Sequence, residues 1–197
     1  NVKKVVVLVR DQNNTKYVPA SSSELVVETR EGSIPTIDPE SLLEGVDIVV
    51  HLAAHTPRGS SEPPAVFEED RIWTQRLGAS CRKRGTKLIF VSTSSIYAGT
   101  KGELLSEDTV LIKPSGSYPT SKYAAEEALR ALAKEGLPLA VLRFGSVFGA
   151  APVVNFDRAV NKFVRQAFLG EPITVWKVAL DQLRQYTHIH DCVAAIN

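Results

Sequence analysis

The sequence predicts an α/β fold with a doubly wound parallel sheet and helices on both of its faces. Short apolar runs rich in β-branched residues recur along the chain, and longer segments with helix-forming residues lie between them. The run at residues 46–54 is almost continuously apolar, which is typical of a parallel strand covered on both faces. Strands that alternate with helices in this way form a parallel sheet.

Each predicted strand is a short apolar run bounded by polar residues, glycine or proline. The first strand ends at Arg10 and Asp11, and the fourth runs into the hydroxyl residues 92–95. Because ligands of parallel sheets bind at the carboxyl ends of the strands, we expect the functional site there. Strands are predicted at residues 2–9, 24–28, 46–54, 87–91 and 137–143, and a turn with a further strand at residues 170–176.

The predicted helices have recognisable starts. Asp38 can cap a short helix that begins at Pro39 and is closed by Gly45. Longer helices are predicted at residues 65–84, 118–136 and 156–169, and another begins after Asp191.

The composition excludes several classes of protein. The chain has 197 residues, 44% of them apolar and 23% charged, and its net charge is +1, so nothing in its charge favours nucleic acid or an anionic membrane. No apolar run approaches the roughly 18 residues of a membrane span. Cys81 and Cys192 form neither a disulfide framework nor a metal-binding spacing, so we expect a reducing, cytoplasmic environment.

A tyrosine and a lysine one helical turn apart suggest a proton-transfer site. Tyr118 and Lys122 share one face of the predicted helix, and the hydroxyls of residues 92–95 end a strand. Such a phenol needs a depressed pKa to act near neutral pH, and a close ammonium can supply it. Taken alone, the pair also fits an ordinary helix surface, and Thr93 could satisfy only its own backbone.

The histidines give weaker evidence of a functional site than Tyr118 and Lys122 do. His51 on a buried strand fits a packed, hydrogen-bonded side chain better than a ligand or a base. His188 and His190 would share one face of a strand, but no third ligand has a convincing spacing, so we predict no metal site.

Five motifs occur in an order that is typical of one enzyme family. They are HLAA at residues 51–54, VSTSSIYAG at 91–99, YPTSK at 118–122, LRFGSVFG at 142–149 and YTHIHD at 186–191. With these motifs the chain resembles the extended short-chain dehydrogenase/reductases, the NAD-dependent epimerase/dehydratase family of nucleotide-sugar enzymes. The resemblance implies a Rossmann-like NAD(P)-binding domain at residues 1–150. It also implies a partial substrate-binding lobe and a return to the sheet at residues 151–197.

The resemblance assigns roles to individual residues. Tyr118 would be the general acid or base for the reacting hydroxyl. Lys122 would hold the nicotinamide ribose and lower the tyrosine pKa, and Thr93 would hydrogen-bond the reacting oxygen, with Ser94 as the alternative. The implied cofactor contacts are Arg10, Asp11, Leu52, Ala53, Ala54, Tyr118, Lys122, Phe144, Gly145 and Val147. The implied substrate contacts are Thr93, Ser94, Ser146, Arg184 and Tyr186.

The end of the first strand bears on the choice between NAD and NADP. An acidic residue there binds the ribose 2′-hydroxyl of NAD, whereas an arginine accommodates the 2′-phosphate of NADP. The chain offers both, as Arg10 and Asp11. This Val-Arg-Asp segment resembles NADP-using reductases of the family, which favours NADP.

The chain also departs from the family pattern. It lacks the first strand and the GxxGxxG turn that presents backbone amides to a pyrophosphate, so we expect one strand–helix unit of about 30 residues to be missing at the front. We expect most of the C-terminal lobe to be missing as well. Asp70 stands where the family has an asparagine, and Ser146 occupies another position that is often asparagine.

The function implied by the resemblance is that of an NAD(P)-dependent oxidoreductase or epimerase. It would act on a hydroxyl or carbonyl of a nucleotide sugar or a related small molecule, as a homodimer. One alternative is an NADPH-dependent carbonyl reductase of the same family, and another is a non-catalytic dinucleotide-binding or redox-sensing module. Ser94 and Ser95 stand where dehydratases of the family carry acidic residues, which argues against that reaction.

Overall fold

Strands and helices alternate along the chain as predicted. The computed structural model describes residues 2–56, 63–100, 104–109, 112, 114–180 and 184–197. Its strands are β1 (Lys4–Val9), β2 (Val26–Glu31), β3 (Ile48–His51), β4 (Lys87–Thr93), β5 (Leu139–Phe144), β6 (Ser146–Phe148) and β7 (Tyr186–His188). Its α-helices are α1 (Pro64–Arg84), α2 (Ser117–Lys134), α3 (Ala159–Phe168) and α4 (Ile189–Ile196).

The described strands pair in three parallel ladders. β1 pairs with β2, β4 lies between β3 and β5, and β6 pairs with β7. Since these pairings are all parallel and helices connect the strands, the predicted α/β class is confirmed. In the part of the chain that the structure describes, no backbone ladder joins β1 or β2 to β3, so the predicted sheet is divided there.

The hydrophobic core lies between the β3–β4–β5 ladder and the helices α1 and α2. Leu88 and Phe90 point from one face of β4 into this core and are almost completely buried. The two helices approach closely at Gly78 on α1, where a Cβ atom would collide with the Leu129 side chain of α2. This packing holds the start of α2 near the carboxyl end of β4. The helical residues of the core are Trp73, Leu77, Cys81, Ala125 and Leu129.

The helix ends follow the local sequence. Asp38 caps the turn after it, accepting a hydrogen bond from the backbone N–H of Glu40 over 3.4 Å, but the predicted short helix is a 3₁₀ helix over Pro39–Leu42. Gly85 ends α1 with φ of 70°, a left-handed conformation that glycine adopts without strain. None of the helices that the structure describes has the length and apolar character needed to cross a membrane.

The C-terminal part differs most from the predicted elements. Residues 171–176, where a strand was predicted, form no strand. The side chain of Trp176 at the end of this apolar run is 81% exposed. α3 begins at Ala159, later than predicted, and its Phe168 is 88% exposed. β6 and β7 were not predicted, because three residues are too few to show the alternation that marks a strand.

Candidate active site

The predicted catalytic residues meet where β4 ends and α2 begins. Thr93 is the last residue of β4, and Tyr118 lies in the first turn of α2. The Thr93 side chain hydrogen-bonds the phenol of Tyr118. One turn further along α2, the Nζ of Lys122 donates to the carbonyl oxygen of Val91 over 2.9 Å. The structure therefore brings all three side chains together at the carboxyl end of a parallel ladder, where ligands of such sheets bind.

Tyr118 is partly buried against α1. Its ring packs edge-on against Phe67, with 6.2 Å between the ring centroids. Burial raises the pKa of Tyr118 above its ordinary value, while the hydrogen bond with Thr93 and the charge of Arg158 act to lower it. The carboxylate of Asp70 acts to raise it. On balance the phenol is held in its protonated form more firmly than a free tyrosine.

Lys122 is buried in the same site. Its Nζ lies 4.7 Å from the centroid of the Phe90 ring, and the residue is 7% exposed. Burial lowers the pKa of Lys122 to about 8, against the opposing effect of Asp70 and Glu126. The expected depression of the Tyr118 pKa by this ammonium is not observed, because the ammonium donates to the β4 backbone and burial of the phenol dominates.

Thr93 also serves its own backbone, as one interpretation of the sequence anticipated. Its Oγ1 accepts a hydrogen bond from the backbone N–H of Ser95 and donates one to the Ser95 hydroxyl, both over 3.1 Å. Ser94 begins the 3₁₀ helix Ser94–Tyr97 that follows. The hydroxyl of Ser92, just before Thr93, is buried and has no hydrogen-bond partner among the described residues. A polar atom thus remains available beside Thr93.

Two pockets meet at this site. The smaller pocket is lined by Tyr118 and Lys122, and the larger one, of about 160 Å³, lies between the carboxyl ends of β1, β2 and β3. Three residues, Ala53, Ala54 and Asp70, line both pockets. Leu52, by contrast, is 60% exposed and lines neither. The complete lining of the larger pocket is Leu8, Arg10, Gly32, Ser33, Ile34, Ala53, Ala54, His55 and Asp70.

The structure separates the two residues that bear on NAD and NADP. Arg10 lines the larger pocket. Asp11 does not, because its carboxylate caps the 3₁₀ helix that follows β1, accepting hydrogen bonds from the backbone and side-chain N–H groups of Asn13, both over 2.9 Å. The Arg10 side chain therefore faces the larger pocket, whereas the Asp11 carboxylate is used in hydrogen bonds to Asn13.

The site residues predicted at the end of β5 and beyond it line neither pocket. Phe144 is the register partner of Thr93. Gly145 is required by packing, since a Cβ atom there would lie 2.7 Å from the carbonyl oxygen of Gln185. Ser146 and Val147 belong to β6, where Ser146 is the register partner of Tyr186 on β7. Arg184 lies two residues before Tyr186 on an exposed segment.

The histidines lie in different surroundings: His51 is in the core, whereas His188 ends β7 and His190 lies in α4, so the last two do not share a strand face. His51 is buried, its Nε2 is 2.9 Å from the Thr74 hydroxyl, and its ring lies between Trp73 and Phe90, so the predicted packed histidine is confirmed. Burial lowers the pKa of His51 to about 3, which keeps the ring neutral. Within the described ranges, no group of three or more His, Cys, Asp or Glu side chains could hold a metal ion.

Sequence reasoning missed the pairing of Asp70 with His55. Asp70 was noted only as a replacement for asparagine, and His55 was not considered. The carboxylate of Asp70 hydrogen-bonds both the backbone N–H and the ring of His55. A usable signal was present, since His55 follows a strand end and Asp70 lies in the second turn of the next helix, where parallel topology places them together.

The family of the chain follows from its match to known proteins. The model of the NAD dependent epimerase/dehydratase family matches residues 2–197. The chain belongs to this family. Its Rossmann-type α/β fold agrees with the resemblance drawn from the motifs.

One curated relative is named for a nucleotide sugar, and two similar solved structures contain one. The chain is 34% identical over 168 residues to the uncharacterized UDP-glucose epimerase YtcB of Bacillus subtilis, covering 82% of this chain and 51% of that protein. It superposes with a TM-score of 0.77 and 28% identity on MoeE5 in complex with UDP-glucuronic acid and NAD, covering 98% of this chain and 62% of that one. The superposition on UDP-glucuronic acid 4-epimerase from Bacillus cereus, in complex with UDP-glucuronic acid and NAD, has a TM-score of 0.72, 29% identity and coverages of 89% and 57%. The chain therefore spans about half the length of the curated relative.

Proposed function

We propose that this protein binds a nicotinamide dinucleotide across the two pockets and oxidises a hydroxyl, or reduces a carbonyl, of a nucleotide sugar or a related small molecule. The observation that carries the proposal is the junction of Tyr118, Lys122 and Thr93 at a strand end, beside a second pocket that contains Arg10. The presence of NAD and UDP-sugars in two neighbouring structures supports both ligand classes.

The residues present fit a dinucleotide in three respects. The two pockets share Ala53 and Ala54, whose short side chains allow an extended ligand to pass closely from one pocket to the other. Arg10 offers a cation at the far end for a phosphate group. At the near end, Lys122 lines the smaller pocket and has N–H groups beyond the one that bonds the Val91 carbonyl.

Tyr118 is the residue that moves the proton of the reacting hydroxyl in this proposal. When bound, the nicotinamide supplies the acceptor for the hydride that leaves the carbon. The Tyr118 oxygen, as the phenolate, takes the hydroxyl proton while the hydride leaves the carbon, so the carbon becomes a carbonyl, and the reverse transfers restore the alcohol. Since burial raises the pKa of Tyr118, we expect turnover to increase as the pH rises above neutral.

Thr93 and Lys122 support that transfer. Thr93 already hydrogen-bonds the Tyr118 phenol and so lies within reach of the same reacting oxygen. Lys122 is fixed by the Val91 carbonyl and lines the smaller pocket, where its remaining N–H groups can bind a ribose hydroxyl.

Replacing Tyr118 by phenylalanine tests the catalytic role. In the full-length protein, Tyr118→Phe should lower turnover of UDP-sugars about 100- to 10,000-fold, because the general acid–base group is removed. The dissociation constant for the dinucleotide should stay within about twofold, since the phenol oxygen is not its main contact. Epimer formation and cofactor reduction measure the first quantity, and titration calorimetry measures the second.

Tyr123→Phe is the matched control, because Tyr123 lies on the same helix and lines neither pocket. It should keep wild-type turnover. Equal turnover in Tyr118→Phe and Tyr123→Phe would contradict the catalytic role. If the wild-type protein binds a dinucleotide but turns over no nucleotide sugar or carbonyl compound, the non-catalytic module becomes the correct interpretation.

The position of Arg10 favours NADP as the cofactor, and with it the reductase alternative. Arg10→Ala should weaken NADP binding about tenfold more than NAD binding, as expected for the loss of a charge-assisted phosphate contact. Asp11→Asn should leave the ratio of the two affinities unchanged, because Asp11 caps its own helix. Unchanged selectivity in Arg10→Ala would instead favour NAD, the cofactor bound in the neighbouring structures.

A homodimer remains part of the proposal through the family resemblance. In that arrangement, α1 and α2 of two protomers pair across a two-fold axis. Sedimentation of the full-length protein should give twice the monomer mass, and a monomer mass would reject the assembly.

A further inference from the structure

One carboxylate stands where the two pockets meet. Asp70 projects from α1 and lines both the smaller pocket and the larger one. Its side chain is only 14% exposed. Any ligand that extends from Tyr118 to Arg10 must therefore pass this negative charge.

Both carboxylate oxygens of Asp70 accept hydrogen bonds from one residue, His55, in the connection between β3 and α1. Oδ2 accepts a hydrogen bond from the backbone N–H of His55 over 2.6 Å. Oδ1 lies 2.9 Å from Nδ1 of the same histidine, so the ring donates there. Residues 52–56 have no regular secondary structure, and this two-point contact ties them to α1.

Residues 53–55, which the contact with Asp70 joins to α1, form the wall between the two pockets. Ala53 and Ala54 belong to both linings, and His55 belongs to the larger one. A hydrogen bond between neutral groups contributes modestly, whereas a bond to a buried carboxylate contributes more and fixes geometry. The position of the wall thus depends on Asp70.

We propose that Asp70 is a positioning residue of this site, which holds the wall of residues 53–55 through His55 and keeps a negative charge in the pocket of Tyr118 and Lys122. The inference rests on the proposed function, since it concerns the same site and the same dinucleotide. It is not implied by the family pattern, where an uncharged asparagine stands at this position.

The charge has a separate consequence for Tyr118 and Lys122. The carboxylate of Asp70 contributes to raising the pKa of each of them, so its removal should lower both values. The tyrosine limb of the pH–rate profile would then move to lower pH. The titratable or charged groups around Asp70 in the two pockets are Arg10, His55, Arg71, Tyr118 and Lys122.

Three variants of the full-length protein separate the two effects. Asp70→Asn keeps the shape and one acceptor for the His55 N–H but removes the charge. Asp70→Ala removes both, and His55→Ala removes the ring contact while leaving the charge. Glu69→Gln is the matched control, because Glu69 is an exposed carboxylate on the same helix and lines neither pocket.

The expected results differ between the variants. Asp70→Asn should shift the tyrosine limb of kcat/KM to lower pH than in wild type and in Glu69→Gln, and Asp70→Ala should do the same. Asp70→Ala and His55→Ala should raise the dissociation constant for the dinucleotide about five- to tenfold, as for a lost positioning hydrogen bond. His55→Ala should keep the wild-type pH profile.

The inference is overturned if Asp70→Asn and His55→Ala match Glu69→Gln in both affinity and pH profile. These two variants decide the matter even if Asp70→Ala does not fold. If the wild-type protein binds a dinucleotide without turnover, the catalytic proposal fails and affinity alone decides the role of Asp70. If it binds no dinucleotide, both proposals fail together.

Discussion

Burial determines how the titratable side chains around this site behave. Tyr118, Lys122 and His51 all lie near the end of β3 or β4, and in each case burial is the largest cause of the pKa shift. Burial disfavours whichever form carries charge, so it raises the pKa of the phenol and lowers those of the lysine and the histidine. Folding therefore shifts all three side chains toward their neutral forms, although a pKa of about 8 leaves Lys122 charged at neutral pH.

His51 should make the protein sensitive to acid. Its folded pKa of about 3 lies below the ordinary value of 6.5, so only the unfolded chain binds a proton between these values, and stability is lost as the pH falls through this window. Between pH 7 and pH 5 the loss from this residue is about 2 kcal/mol. His51→Gln, which cannot titrate, should reduce the pH dependence of the unfolding free energy by that amount.

Urea denaturation at the two pH values measures this difference. His190→Gln is the matched control, because His190 is exposed. An identical loss of stability in wild type and His51→Gln would show that the buried ring is not the source of the acid sensitivity.

At the scale of elements, a buried ion pair joins β5 to α2. Arg143 donates from Nη2 and Nε to the carboxylate of Glu126, over 2.7 and 3.1 Å, and Glu126 is completely buried. Arg143 also donates to the hydroxyl of Tyr97 over 2.6 Å, and that hydroxyl donates to the Ser106 carbonyl. The pair thus connects β5, α2 and the segment that follows Thr93.

Glu126→Gln should destabilise the protein by about 3 kcal/mol, because it leaves the Arg143 charge poorly compensated in a buried site. Glu127→Gln, an exposed change one residue further on α2, should alter the unfolding free energy by less than about 0.5 kcal/mol. Chemical denaturation of both variants measures the difference. Equal denaturation midpoints would mean that the pair does not hold these elements together.

The elements that could be predicted are those with a strong local pattern. β3 and β4 are long apolar runs, and α1 and α2 carry helix formers with clear boundaries. β6 and β7 were not predicted, because each is three residues long and is stabilised by pairing with the other strand, not by its own sequence. The strand expected at residues 170–176 failed for the converse reason, since an apolar run without a partner strand does not form one.

The candidate site could be predicted only in part from the sequence. Tyr118 and Lys122 were found because their types and helical spacing suggest chemistry, and Thr93 was chosen among the hydroxyls of residues 92–95 through the family resemblance. The role of Asp70 depends on the approach of α1 to the end of β3, and the different orientations of Arg10 and Asp11 depend on a cap formed after β1. Such three-dimensional contacts leave little trace in residue order.

For the whole molecule, the larger pocket lies between two groups of strands that no ladder joins in the part of the chain that the structure describes. β1 and β2 contribute its outer wall, and the residues after β3 contribute the inner one. A dinucleotide bound there would touch both groups and join them. The proposed function therefore predicts that the cofactor also acts as a structural bridge.

Hydrogen exchange of the full-length protein with and without NAD or NADP tests this bridge. Peptides that cover residues 4–10, 32–34 and 53–55 should all gain protection, and the unfolding free energy should rise by about 3 kcal/mol at a hundredfold excess over Kd. Peptides that cover α3 serve as an internal control, since its residues line neither pocket. Protection confined to one wall would contradict binding across the pocket.

The most direct test of the central claim is the appearance of reduced nicotinamide after rapid mixing. The full-length protein, loaded with oxidised cofactor, is mixed with a panel of UDP-sugars while nicotinamide fluorescence is followed. We predict a signal within one turnover for at least one sugar, slower with deuterium on the reacting carbon and about 100-fold slower or more in Tyr118→Phe. A protein that binds both cofactor and sugar but gives no reduced nicotinamide, or a Tyr118→Phe variant as fast as wild type, would contradict the account.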